Sequence, residues 1–443
     1  MNIKQLVIKE SCFELNDSQL KKIDKILNRY FDDLLTSVNK SVINPLELNE
    51  YIMTIAEAFP LFEDKNKWLE ISYIIMNDIK RELINPTINK SISLFGGLCD
   101  TGFATYLLNK NTGHYGKFLD SINKLIFNYI KQYLDYCNSN FNELTMQHYD
   151  IISGLAGMGY YMLLIHKNEQ ENELLHDVMR YLIKLSGKHL VEKEMIPNWH
   201  IKSRNQIRND EKLKFPKGNF NFGLAHGIAG PMVTLSKAYS QGEILEGHGE
   251  AIESFIEEYK NYSITSQDGS IFWPTQLSFE DYIAGVANDE LRPRIASWCY
   301  GNIGISRSLY VASKNIGDEK MMKFSFENIE KIALMNILDY NLESPILCHG
   351  YAGLLSILNL TYKETKNDNI KNGMYKIIDE LLSLYVEESR FGFKNKETLY
   401  EDGKIVKRAT ENNSFMEGTS GIVLSLISIV KDKTDFENHL IIK

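Results

Sequence analysis

The 443-residue sequence predicts an all-α fold, an α/α toroid in which six helix pairs close into a double helical barrel, with small β-containing insertions. Three observations predict it. Apolar residues recur with the period of a helix along most of the chain. A short Gly-x-x-Gly unit recurs at wide intervals, usually ahead of an apolar run. The segments that break the helical period are short and carry turn residues.

The helical period is clearest at residues 18–35, where Leu20, Ile23, Ile26, Leu27, Phe31 and Leu34 fall on one face. Similar stretches occupy residues 125–136, 176–185 and 370–385. The glycine unit reads GLAG from Gly154, GIAG from Gly227, GNIG from Gly301, GYAG from Gly350 and GTSG from Gly418. A degenerate copy, GGLCDTG, occupies residues 96–102. These starts lie 49 to 74 residues apart, room for two helices and their loops. One helix pair cannot bury its apolar face alone, so neighbouring pairs must stack, and a ring satisfies all of them. Glycine at a helix start allows close backbone approach, and the exposed N–H groups there favour anions.

Residues 190–222 are polar and aromatic, punctuated by Pro197, Pro216 and Gly218. Residues 264–277 and 391–406 carry Asp268-Gly269 and Asp402-Gly403, the signature of hairpin turns. All three read as insertions on one toroid domain spanning residues 1–443, the first being an extension around residues 190–222.

Composition narrows the function classes. Hydrophobic residues make up 44% and charged residues 24%, as in an ordinary globular protein. A formal charge of -9 argues against a nucleic-acid partner. Residues 1–15 hold no apolar run of the secretory-signal kind, and the apolar run at 421–430 is too short to span a bilayer. A cytoplasmic location is therefore expected, with peripheral attachment at the inner face of the membrane left open. The five cysteines, Cys12, Cys99, Cys137, Cys299 and Cys348, are odd in number and widely spaced, a poor disulfide framework.

Chemistry concentrates just ahead of the glycine units. Trp298-Cys299-Tyr300 precedes the unit at Gly301, Cys348-His349 precedes Gly350, and His226 precedes Gly227. If the units surround a common axis, these side chains converge. Two thiolates and one imidazole suit zinc, and three protein ligands leave a fourth position open, the pattern of a catalytic site. A free cysteine taken alone is usually a small buried hydrophobe, the reading given to Cys12, Cys99 and Cys137. The adjacent Cys-His pair and the shared slot favour a metal for the other two. Zinc deprotonates a bound thiol and also activates water. Residue types alone leave both chemistries open.

The ordered motifs YDIISGLAG (149–157), GLAHGIAG (223–230), SWCYGNIG (297–304), CHGYAG (348–353) and MEGTSG (416–421) resemble the lanthionine synthetase C-like family. Within it, the likeness is to the free-standing cyclases of class I lanthipeptide biosynthesis. The resemblance implies an α/α toroid binding one zinc ion through Cys299, Cys348 and His349. It implies a substrate that is a ribosomally made precursor peptide with a leader, already dehydrated at Ser and Thr. A peptide Cys then adds to dehydroalanine or dehydrobutyrine, giving a lanthionine or methyllanthionine thioether. It assigns His226 as the acid/base residue and Asp150 as its electrostatic partner, with Tyr300 and Trp298 lining the site. It further implies a complex with a dehydratase and an ABC transporter. The family commonly has an Arg four residues before the zinc Cys, where this chain has Ile295; Arg294, one position earlier, is the substitute, and Arg292 lies two further back.

Two other readings compete. The same site would serve a zinc- and glutathione-binding scaffold or regulator without cyclase activity. A glycan-processing enzyme would need paired carboxylates; Asp150 and Glu417 occupy equivalent slots, but the paired cysteines then go unexplained.

Overall fold

The computed structural model describes residues 5–6, 8, 13–40, 43–85, 91–287, 295–401 and 404–443. Its helices are of two kinds that alternate along the chain. One kind is buried on nearly every side: Leu48–Ala58, Leu98–Thr112, Leu155–Ile165, Ala229–Ser240, Asn302–Ile316, Tyr351–Thr365 and Thr419–Val430. The last reads TSGIVLSLISIV, without a charge, and all twelve residues are buried. The other kind is amphipathic. Asp368–Ser383 buries Ile370, Met374, Ile377, Ile378 and Leu381 at helical spacing and leaves its charges outward.

The two kinds also start differently. Four of the amphipathic helices open on side-chain caps: Asn16, Asp64, Asn168 and Asn367 each accept from a backbone N–H of the first turn. Four of the buried helices open on a glycine with no side-chain cap, at Gly154, Gly301, Gly350 and Gly418. There the preceding loop folds back over the helix. Around Gly350 the N–H groups of Tyr351, Ala352 and Gly353 donate to the carbonyls of Ser344, Pro345 and Ile346. First-turn donors that would otherwise be open to an anion are taken by the chain itself.

This closure explains the second glycine of the unit. A Cβ at Gly157 stands 2.1 Å from Ile151 O, at Gly304 2.0 Å from Trp298 O, at Gly353 1.9 Å from Leu347 O and at Gly421 2.0 Å from Phe415 O. The obstacle is each time the carbonyl six residues earlier, so the spacing of the unit is a packing requirement.

The expected count of six pairs needs correction. Seven buried and seven amphipathic helices of a turn or more beyond the short connectors occur among the described residues. The helix that glycine counting overlooks is Leu48–Ala58, which starts after the short turn Pro45–Glu47 and has no Gly-x-x-Gly unit.

The chain divides into two compact units. One comprises residues 1–90, 100–122 and 333–438. In it Thr419–Val430 packs on Leu48–Ala58 and Tyr351–Thr365, and Asp17–Asn39 packs on Asp368–Ser383. It also carries the hairpin Asn395–Glu401 with Lys404–Thr410, in register from Asn395 opposite Thr410 to Glu401 opposite Lys404. The Asp402-Gly403 turn expected there, and Cys12, lie outside the described residues.

The other unit comprises residues 91–99, 123–332 and 439–443. Ala229–Ser240 packs on Leu155–Ile165 and Asn302–Ile316. Asp268-Gly269 turns the hairpin Ile264–Thr265 with Ile271–Phe272, Gly269 having φ +78°. The segment expected as an extension holds the hairpin Lys188–Val191 with Glu194–Pro197, the short helix Asn209–Lys214 and the strand Asn219–Asn221, which pairs with Gln276–Ser278. On this last pair Phe220 and Leu277 are buried, with Phe220 stacked on Tyr282 at 4.0 Å. The alternate residues Asn219 and Asn221 project from the opposite face.

Candidate metal and acid–base site

Three loops of the second unit hold one another. In the loop after the helix Met146–Tyr149, the Asp150 side chain is fully buried. Its Oδ1 accepts from the N–H groups of Ser153 and Gly154 at 2.7 and 2.9 Å, and its Oδ2 is 2.6 Å from His226 Nδ1. Both carboxylate oxygens are thus engaged. The hydrogen bond places the Nδ1 proton between His226 and Asp150 and leaves Nε2 as the nitrogen that exchanges protons. Burial works against a charged imidazole at His226. The hydrogen bond and charge of Asp150, with smaller contributions from Cys299 and Glu211, outweigh it and hold the pKa above the usual histidine value.

The GLAH loop is tied to the WCYG loop. Leu224 and Ala225 donate backbone N–H to the carbonyl of Cys299 at 2.8 and 3.1 Å. Asn221 Nδ2 donates to the Tyr300 hydroxyl at 3.2 Å, and the His226 and Tyr300 ring centroids are 6.2 Å apart. Ser297 Oγ lies 3.7 Å from Cys299 Sγ.

The first unit holds Cys348 and His349 in the loop that precedes Tyr351–Thr365, with Cys348 N–H on the carbonyl of Met416 at 2.9 Å. Cys299 in the one unit and Cys348 and His349 in the other are all partly exposed. Two sulfurs and one imidazole nitrogen form a donor set that fits zinc.

Not every expected residue falls where the sequence suggested. Trp298 does not line the site: it is fully buried, and its indole N–H donates to Leu440 O at 3.0 Å. The turn at Trp298–Tyr300 buries Trp298 and leaves Cys299 and Tyr300 partly exposed. Arg294 and Arg292 lie outside the described residues. Cys99 and Cys137 are buried, and burial pushes the Cys137 thiol up to about 12, far from a ready thiolate. Glu417 is exposed while Asp150 is wholly engaged by His226 and backbone, which removes the paired-carboxylate arrangement a glycan-processing enzyme needs. Two contributors were not anticipated: Asn221, and Glu211, whose charge reaches His226. Strand alternation in NFNFG was the available signal for Asn221; nothing local marks Glu211.

The chain is 29% identical over 343 residues to the nisin biosynthesis protein NisC of Lactococcus lactis subsp. lactis, covering 75% of this chain and 73% of that one. It is 26% identical over 440 residues to a lacticin 481/lactococcin biosynthesis protein of the same organism, covering 91% of this chain and 41% of the relative. The solved structure of nisin cyclase superposes with a TM-score of 0.76 at 22% identity, covering 96% of this chain and 98% of that one, and supports the α/α toroid expected from the sequence. The family model for lanthionine synthetase C-like proteins matches residues 52–441, and the chain belongs to that family.

Proposed function

We propose that this chain is a zinc-dependent lanthipeptide cyclase that forms lanthionine and methyllanthionine rings in a dehydrated precursor peptide. The observation that carries the reading is the pairing of His226 with the buried carboxylate of Asp150 at 2.6 Å, in a chain whose partly exposed Cys299, Cys348 and His349 form a donor set that fits zinc. The kinship with a nisin biosynthesis protein supports a peptide substrate of the same kind.

Cys299, Cys348 and His349 would hold the ion, and bound zinc supplies a thiol deprotonated at neutral pH. The rest is done by side chains of this protein. As the substrate sulfur bonds to the β-carbon of a dehydro residue, negative charge develops at its α-carbon and carbonyl oxygen. His226, kept protonated by Asp150, delivers a proton from Nε2 to the α-carbon. Asp150 fixes the ring and stabilises its charged form. Tyr300 offers a hydroxyl to the carbonyl oxygen as charge accumulates there. In the family setting the precursor carries a leader and the enzyme works beside a dehydratase and an ABC transporter. No helix among the described residues is long and apolar enough to cross a membrane.

The test joins metal content to ring formation. Purified protein and its Cys348→Ala variant are assayed for zinc, then incubated with a dehydrated precursor peptide whose remaining thiols are counted by alkylation. The wild-type chain should carry one zinc and consume thiols; the variant should do neither. Full thiol consumption by Cys348→Ala would remove the metal from the mechanism. A wild-type chain that binds glutathione but closes no ring would favour the scaffold reading.

A further inference from the structure

Asn221 is fully buried on the polar face of its short strand, and its amide is fixed at both ends. Gly223 N–H donates to Oδ1 at 3.0 Å, which settles which end is the oxygen. Nδ2 then donates to the Tyr300 hydroxyl at 3.2 Å. A phenol oxygen that accepts from Asn221 directs its own hydrogen elsewhere. The ring is held as well as the hydroxyl. A Cβ at Gly223 would stand 2.5 Å from Tyr300 Cδ1 and 2.6 Å from Cε1, so the ring lies flush on that backbone. Leu224 and Ala225, bonded to the Cys299 carbonyl, tie the same stretch to the residue before Tyr300. Residues 221–225 therefore set both the position and the hydrogen-bond polarity of the phenol.

We infer that Asn221 is a positioning residue for ring closure, holding the Tyr300 phenol as a hydrogen-bond donor toward the carbonyl oxygen of the dehydro residue. The inference rests on the cyclase reading. A donor aimed at charge that develops only during the reaction lowers the barrier without tightening substrate binding, so its loss falls on kcat and spares KM. The amide is required because one group must accept from Gly223 and donate to Tyr300. A carboxylate of the same shape keeps the first bond but accepts from the phenol, turning its hydrogen inward.

Asn221→Asp, Tyr300→Phe and the double variant are compared as zinc-loaded proteins on a dehydrated precursor peptide, with thermal unfolding and zinc content as controls. Each single variant is expected to lose about 10- to 100-fold in kcat, in the range of one lost oxyanion donor. KM and zinc content should stay within about twofold. The double variant should be no slower than Tyr300→Phe, the signature of two residues acting as one. A loop-capping role alone predicts wild-type kcat for Asn221→Asp, and that result overturns the inference. So does a loss that multiplies fully with Tyr300→Phe. If Asn221→Asp does not fold, wild-type kcat in Tyr300→Phe overturns it independently. A wild-type chain that closes no ring sinks the cyclase reading itself, a distinct outcome.

Discussion

Cys299 sits in a loop bound to its surroundings from several directions: its carbonyl accepts from Leu224 and Ala225, Tyr300 beside it accepts from Asn221, and Trp298 on its other side is locked to Leu440. Cys348 and His349 sit in a loop closed mainly by its own backbone, through Ser344, Pro345 and Ile346 onto the first turn of Tyr351–Thr365, with one bond to Met416. The same glycine unit serves both, yet the first loop is a junction of side chains and the second a clamp of carbonyls. Damage to the first should alter orientation and proton handling, whereas damage to the second should alter ligand supply or local folding.

The largest effect is expected at the clamp. His349→Ala should abolish zinc binding and lower cyclisation by at least about 100-fold, since even residues that only support a ligand cost 10- to 100-fold. Zinc quantification beside the thiol count checks it; retained zinc would mean the loop is not a ligand source. Next comes the junction. Asp150→Asn keeps the geometry but removes the charge that raises the His226 pKa, and should cost about 100-fold in kcat with zinc retained. Loss of zinc in that variant would erase the distinction between the loops.

The glycines sharpen the comparison at the level of folding. Gly304→Ala and Gly353→Ala each drive a Cβ to within 2.0 Å of a carbonyl oxygen, and each should destabilise by about 2–3 kcal/mol, read in a melting or denaturant curve. Tolerance of either would show that its loop relaxes where the other does not.

The smallest effect concerns a carboxyl used differently from Asp150. Glu50, in Leu48–Ala58, is buried with Oε2 lacking a hydrogen bond; burial first, and the nearby Asp100 second, raise its pKa well above the carboxyl norm. A raised folded value means the neutral form is favoured in the fold. That contribution is present below the unfolded pKa and is lost as pH rises through the folded value. Glu50→Gln should therefore raise the melting temperature more at pH 8 than at pH 5, by about 1–2 kcal/mol in stability. An equal gain at both pH values would contradict the raised pKa.

Much of the architecture was legible because burial of a helix face is written locally. Ile23, Ile26, Leu27, Phe31 and Leu34 repeat at the helical period and are buried in the helix Asp17–Asn39. The glycine units marked the starts of buried helices because a Cβ there meets the chain six residues back, a local clash. Leu48–Ala58 escaped because its start needs no glycine, so counting glycines counted one pair too few. In the site, the donor residues were legible from their chemistry. Trp298 was misplaced because proximity to Cys299 along the chain suggests a shared cavity, while its actual partner is Leu440.

The sequence by itself determined the helices, the places where loops must close tightly and the atoms able to bind a metal, since period, Cβ clash and donor type are properties of neighbouring residues. The pairing of Asp150 with His226 was implied by the family resemblance alone, and only tertiary structure decided that Asn221 rather than a residue of its own loop holds Tyr300 and that Trp298 turns inward. Those pairings join residues 76, 79 and 142 positions apart. At such separations a hydrogen bond forms only after the chain between has folded, and no local pattern encodes the partner.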